Sequence, residues 1–153
     1  MAESEFVYVT YIRTTPEKLW QALIDPEFTR KFWAGTHQEC DWNVGSGWKI
    51  VVPDGRTADS GEVVEIDPPR KLVLTWLNHL FPDLAAEGFS RMSYELQAQG
   101  STVKLTVTHT MGRRDSQLVK AVSNGWPHIL ASLKSLLETG QSLEGTDRWP
   151  EGV

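Results

Sequence analysis

The 153-residue sequence has a single cysteine, Cys40, so no internal disulfide can hold it together and its stability must come from a packed interior. It has no Lys/Arg stretch, and its 20 acidic residues against 15 basic ones give a net charge of −5. Nucleic-acid binding depends on clustered cations that displace counterions from phosphates, so that class of partner is set aside. No apolar run approaches the roughly 20 residues that span a bilayer. The start, Met1-Ala2-Glu3-Ser4-Glu5, is acidic where a secretory leader is basic and then apolar. These absences predict a cytoplasmic protein with no membrane insertion.

Standard catalytic motifs are missing too. There is no G-x-S-x-G elbow, no Gly-rich phosphate loop between strand and helix, and no H-E-x-x-H. The four histidines are His37, His79, His109 and His128. His37 and Cys40 with Asp41 form an H-x-x-C-D run, but strand alternation sends His37 and Cys40 to opposite faces, and metal ligands must converge. The expectation is therefore no metal, no cofactor and no assignable catalytic residue. The carboxylates Glu62, Glu65 and Glu95 read as a solvated face.

Seven tryptophans stand out, at positions 20, 33, 42, 48, 76, 126 and 149. Indoles bury large areas, so this number fits either a dense core or a lined cavity. At 40% hydrophobic and 23% charged residues the chain has the composition of a folded protein. Its length suits one domain over residues 1–153, with a core of about 6–140.

Phe6-Val-Tyr-Val-Thr-Tyr-Ile12 is almost all β-branched or aromatic and predicts a first strand covered on much of both faces. Thr15 followed by Pro16 is an N-cap with proline at the first helical position, and Asp25-Pro26 repeats the signal. Two short helices should result, carrying Leu19, Trp20, Leu23 and Ile24, then Phe28, Phe32 and Trp33. Six further strands are read at about 36–42, 48–52, 57–66, 71–79, 90–98 and 102–110, separated by Gly-, Pro- and Asp-rich turns. The apolar connection 80–89 predicts a lid. From Asp115 or Ser116 to Gly140, Val119, Val122, Trp126, Ile129, Leu133 and Leu136 form a helical stripe about 35 Å long, with a kink expected at Pro127. The tail, 141–153, reads as loosely held. A meander buries one face well and the long helix is its natural cover, which makes an α+β roll.

These segments resemble the SRPBCC (START/Bet v 1-like) superfamily, in the branch similar to the activator of heat shock protein 90 ATPase. The resemblance covers about 6–140. It rests on Ile12-Arg-Thr-Thr-Pro-Glu-Lys-Leu-Trp-Gln-Ala-Leu23 with Asp25-Pro26, Lys31-Phe-Trp33, Gly61-Glu-Val-Val-Glu-Ile-Asp-Pro-Pro69 leading to Leu72-Val-Leu-Thr-Trp76, and Gly125-Trp126 ahead of Glu138-Thr-Gly140. It implies a helix-grip fold: a seven-stranded antiparallel curved sheet around a long C-terminal helix, with two short helices after the first strand. Members of the superfamily bind lipids, sterols, plant hormones or polyketides, and a few are cyclases or dehydratases. The likeness to the co-chaperone is to its C-terminal domain, so its chaperone activity is not carried over.

If alternation holds, Trp48, Ile50, Trp76, Met92, Tyr94, Val107 and His109 form a concave wall, opposed by Val122, Trp126 and Ile129 from the helix. These are the candidate ligand-binding residues for a hydrophobic small molecule, with His109 as either a core histidine or a polar ligand contact. Two alternatives stand beside this reading. One is a cyclase- or dehydratase-type enzyme using His109 or Tyr94; the other is a partner-binding module using an outer face bearing Val7, Val9 and Tyr11. The chain is expected to be a monomer or homodimer.

Overall fold

In the computed structural model, which describes residues 3–153, the strands are β1 (Ser4–Ile12), β2 (His37–Cys40), β3 (Gly47–Val51), β4 (Thr57–Asp67), β5 (Lys71–Asn78), β6 (Ser90–Gln99) and β7 (Thr102–Met111). All neighbours pair antiparallel, in the order β1-β7-β6-β5-β4-β3-β2. The helices are α1 (Pro16–Ile24), α2 (Pro26–Phe32), α3 (Pro82–Ala85) and α4 (Gln117–Thr139). The architecture is the expected helix grip, an α+β fold.

Local chemistry sets the helix ends. Thr15 accepts from the Lys18 N–H, and Asp25 both ends α1 and caps α2 by accepting from the Glu27 N–H. Ser116 caps α4, and Gly140 closes it in the left-handed region at φ 85°. α4 continues through Pro127, where the Ser123 carbonyl loses its helical donor.

Two expectations need correction. β1 is an edge strand whose outer face meets solvent at Val7, Val9 and Tyr11, so only its inner residues Phe6, Tyr8, Thr10 and Ile12 pack inward. Its aromatic and β-branched composition reflects strand propensity, not two-sided burial. The tail is also anchored. Thr146 is buried, its carbonyl accepts from the Ala34 N–H at 2.6 Å, and its hydroxyl bonds Ser132 Oγ at 2.7 Å.

The sheet bends where β4 loses register between Val63 and Glu65. Just before this, Gly61 lies so close to β5 that an added Cβ would sit 1.8 Å from the Thr75 carbonyl oxygen. No flexible side chain can yield there, so the strands themselves would have to part. Gly61→Ala should therefore destabilise by about 3 kcal/mol or more. Urea unfolding will check this, and a variant within about 0.5 kcal/mol of the parent would contradict the close approach.

Candidate functional site

Alternation along the sheet does place Trp48, Ile50, Trp76, Met92, Tyr94, Val107 and His109 inward, all buried. Most of that concavity is filled. Trp76 lies 4.7 Å from Trp48 and 5.8 Å from Trp126, ring centre to ring centre, and Trp33 packs against Trp76 at 6.2 Å and Trp126 at 5.3 Å. Trp33 thus does more than pack the small helices. It belongs to the indole cluster joining α2, the sheet and α4.

Each indole N–H in this cluster for which a bond is seen has a different acceptor. Trp48 Nε1 donates to Gln38 Oε1 at 2.8 Å, and Gln38 Nε2 in turn donates to the Leu23 carbonyl. Trp126 Nε1 donates to His109 Nδ1 at 3.2 Å. Since Nδ1 accepts, Nε2 carries the imidazole proton and donates to Ser90 Oγ at 2.8 Å, whose own hydroxyl donates to the Trp76 carbonyl. His109 has no nitrogen left for a ligand, and burial pushes its pKa down to about 4, so it stays neutral. Tyr94 is sealed behind Trp126. Its hydroxyl has no hydrogen-bond partner among the described residues, and burial drives its pKa upward.

The open space lies at one end of the grip. A cavity of about 200 Å³ sits between the first half of α4, the α3 segment and the ends of β4 and β5. Trp76, Val122, Trp126 and Ile129 line it, as do Trp33, Phe81, Leu84, Leu118, Ala121 and Gly125. Trp48, Ile50, Met92, Tyr94, Val107 and His109 do not. A larger depression of about 440 Å³ on the sheet's outer face is walled by Asp67, Arg70, Lys71, Glu95 and Lys104. Those long charged side chains are solvated and provide no apolar wall.

The segment expected to be a lid does overhang the cavity, through Phe81 and Leu84. Its far end is fastened by Glu87, which accepts from Ser116 Oγ at 2.6 Å and from the Gln117 N–H at 2.8 Å, at the start of α4. Partial burial raises the Glu87 pKa, but these bonds and one from the Leu118 N–H outweigh it and hold the carboxyl below its ordinary value.

Two polar residues complete the lining, Asp59 and Asn78, which face each other across β4 and β5. Asn78 Oδ1 accepts the backbone N–H groups of Leu80 and Phe81 at 3.0 and 2.9 Å. These are obligatory donors, so the amide orientation is fixed and Nδ2 must donate toward Asp59 Oδ1, at 3.1 Å. The same Oδ1 accepts from Trp76 Nε1 at 2.8 Å. Oδ2 takes no hydrogen bond among the described residues, yet it is not among their fully buried unpartnered atoms, so solvent can reach it. No Lys, Arg or His lies within ion-pair distance of Asp59 among the described residues. Burial raises its pKa to about 6 against the pull of the two hydrogen bonds. Asp59 and Asn78 carried a signal in the sequence. Stepping by two from Val63 through Gly61 puts Asp59 on the inward face, and one such step from Trp76 reaches Asn78.

An antiparallel sheet closed over one long C-terminal helix, with an apolar cavity at the end of the grip, defines the class as an α+β helix-grip fold. The chain belongs to the Activator of Hsp90 ATPase homolog 1-like protein family, which matches residues 13–138. Among solved structures it is similar to protein MLL2253 from Mesorhizobium loti at 26% identity, with 88% of this chain and 97% of that one aligned and a TM-score of 0.74. It is also similar to the Aha1 dimer from Colwellia psychrerythraea (20% identity, 91% and 99%, TM-score 0.71) and to CalU16 from Micromonospora echinospora (18%, 89% and 77%, 0.70). Comparison with curated proteins gives no match. Among the described residues no helix is long and apolar enough to cross a membrane.

Two groups with large shifts, His109 and Asp59, titrate between about pH 4 and 6.5. His109 takes up its proton at about 6.5 when unfolded and about 4 when folded, so its contribution is lost as pH falls through that window. Asp59 acts oppositely, protonating at about 6 when folded and 3.8 when unfolded, so the fold gains stability as pH falls. The two effects offset, and the parent's stability should change little between pH 6 and about 4.5. Asp59→Asn removes one of them. It should be more stable than the parent by about 1–3 kcal/mol at pH 7.5, lose stability steeply below pH 6.5, and converge on the parent near pH 4. Urea titrations across pH will measure this, and equal stabilities at pH 7.5 would contradict the burial cost.

Proposed function

We propose that this protein binds a small, largely apolar molecule in the cavity between α3, β5 and the first half of α4. The observation that supports this most strongly is the cavity wall itself. Three indoles, Phe81, Leu84, Leu118, Val122 and Ile129 surround a space with only two polar residues. That ratio of apolar surface to a few placed polar groups is typical of small-molecule sites. At about 30 Å³ per water the space equals roughly seven waters, which suits a ligand of one ring more than an extended lipid.

Gly125 adds to this reading. Glycine in the middle of a helix costs about 1 kcal/mol relative to alanine, and packing does not require it here, because an added Cβ would meet nothing within 4 Å. What it leaves beside Trp126 is room. The test is a titration with 2-phenylethanol followed by the indole N–H signals in NMR. Trp33, Trp76 and Trp126 should shift, with a millimolar or tighter dissociation constant, while Trp20, Trp42 and Trp149 should not. Gly125→Ala should add about 0.5–1 kcal/mol of stability, and Gly125→Leu should weaken binding at least tenfold by filling the space. Absence of shifts at saturating probe, or unchanged binding in Gly125→Leu, would refute the site.

A further inference from the structure

Resting on that reading of the cavity, we infer that its ligand is an amine, a small apolar body carrying a protonated ammonium group that pairs with Asp59. The argument begins with what Asp59 lacks. It is the one titratable group among the cavity's lining residues, and no cation of the chain pairs with it among the described residues. A carboxylate in an apolar recess is costly unless it is paired and hydrogen-bonded. Two carboxylates elsewhere in the chain are more solvated and have fuller sets of partners. Glu87 is bonded to the start of α4, and Glu138 takes Lys134 Nζ and the Arg13 N–H.

Asp59 meets that need by half: Oδ1 is saturated by Trp76 and Asn78, and Oδ2 takes no hydrogen bond among the described residues, so the cavity keeps one strong, charged acceptor and no cation of its own. The indoles of Trp33, Trp76 and Trp126 add π surface, which also attracts cations. An anionic ligand would meet repulsion from Asp59. A neutral one would gain a hydrogen bond but leave the charge uncompensated. An ammonium supplies both the donor and the charge, and charge-assisted bonds are about twice as strong as neutral ones.

The experiment uses one ring scaffold with three charges: 2-phenylethylammonium, 2-phenylethanol and phenylacetate, titrated at pH 7.5 into the parent and into Asp59→Asn, with the indole N–H signals as readout. In the parent the ammonium should bind about tenfold more tightly than the alcohol, phenylacetate should bind most weakly, and the Trp76 N–H should show the largest shift. In Asp59→Asn, which keeps an acceptor for Trp76, ammonium and alcohol should differ by less than about twofold. If the alcohol binds the cavity as tightly as the ammonium, or the ammonium preference survives in Asp59→Asn, the amine inference is wrong while the cavity reading stands. If none of the three shifts Trp33, Trp76 or Trp126, both are wrong.

Discussion

The contact of Trp76 with Trp126 is the constraint from which the rest of the interior follows. It is one of the points where α4 meets the sheet, and each indole brings an N–H that must find an acceptor in an apolar surrounding. Trp126 fixes His109 as a neutral acceptor, and His109 fixes Ser90, which ties back to the Trp76 carbonyl. Trp76 itself requires Asp59. Two neighbouring rings thus draw one imidazole and one carboxylate into the interior, and both become unusual titrating groups for the same reason, burial.

Their situations nevertheless differ. His109 is enclosed, bonded at both nitrogens and unable to meet anything from outside. Asp59 is bonded at one oxygen and lies on the wall of the cavity at the end of the grip. The histidine was the natural residue to single out from the sequence, being polar and on an inward face. In the structure both of its nitrogens are taken, by Trp126 and Ser90, whereas the facing pair Asp59 and Asn78 lines the cavity. Which hydrogen-bonding atoms are left unsatisfied beside the cavity, not face alone, decides which inward polar group can take part in binding.

Much of the fold was legible because its signals are local. Thr15-Pro16, Asp25-Pro26, Ser116 and Gly140 cap their helices through contacts a few residues long, and turn residues bound the strands to within two positions. The inward set from Trp48 to His109 followed from period-two alternation. What could not be read is where packing leaves a gap. Whether Trp48, Met92 and Tyr94 line a space or fill it depends on how Trp33 crosses from α2 to wedge between Trp76 and Trp126, a contact spanning 93 positions of sequence. The tail escaped for a similar reason, since Thr146 is held by Ala34 and Ser132, both distant in the chain.

Asn78 shows why the cavity's polar corner is built and not accidental. Its Oδ1 is committed to two backbone N–H groups of the segment entering α3, so its amide cannot turn. Its Nδ2 is therefore fixed on Asp59 Oδ1, beside the N–H from Trp76. With two donors holding one oxygen, the other is left without a hydrogen bond among the described residues, on a residue that lines the cavity. The same amide that positions the overhanging segment of Phe81 and Leu84 thus orients the carboxylate beneath it. A cavity closed by side chains alone could have hidden Asp59 completely; this one keeps half of it available.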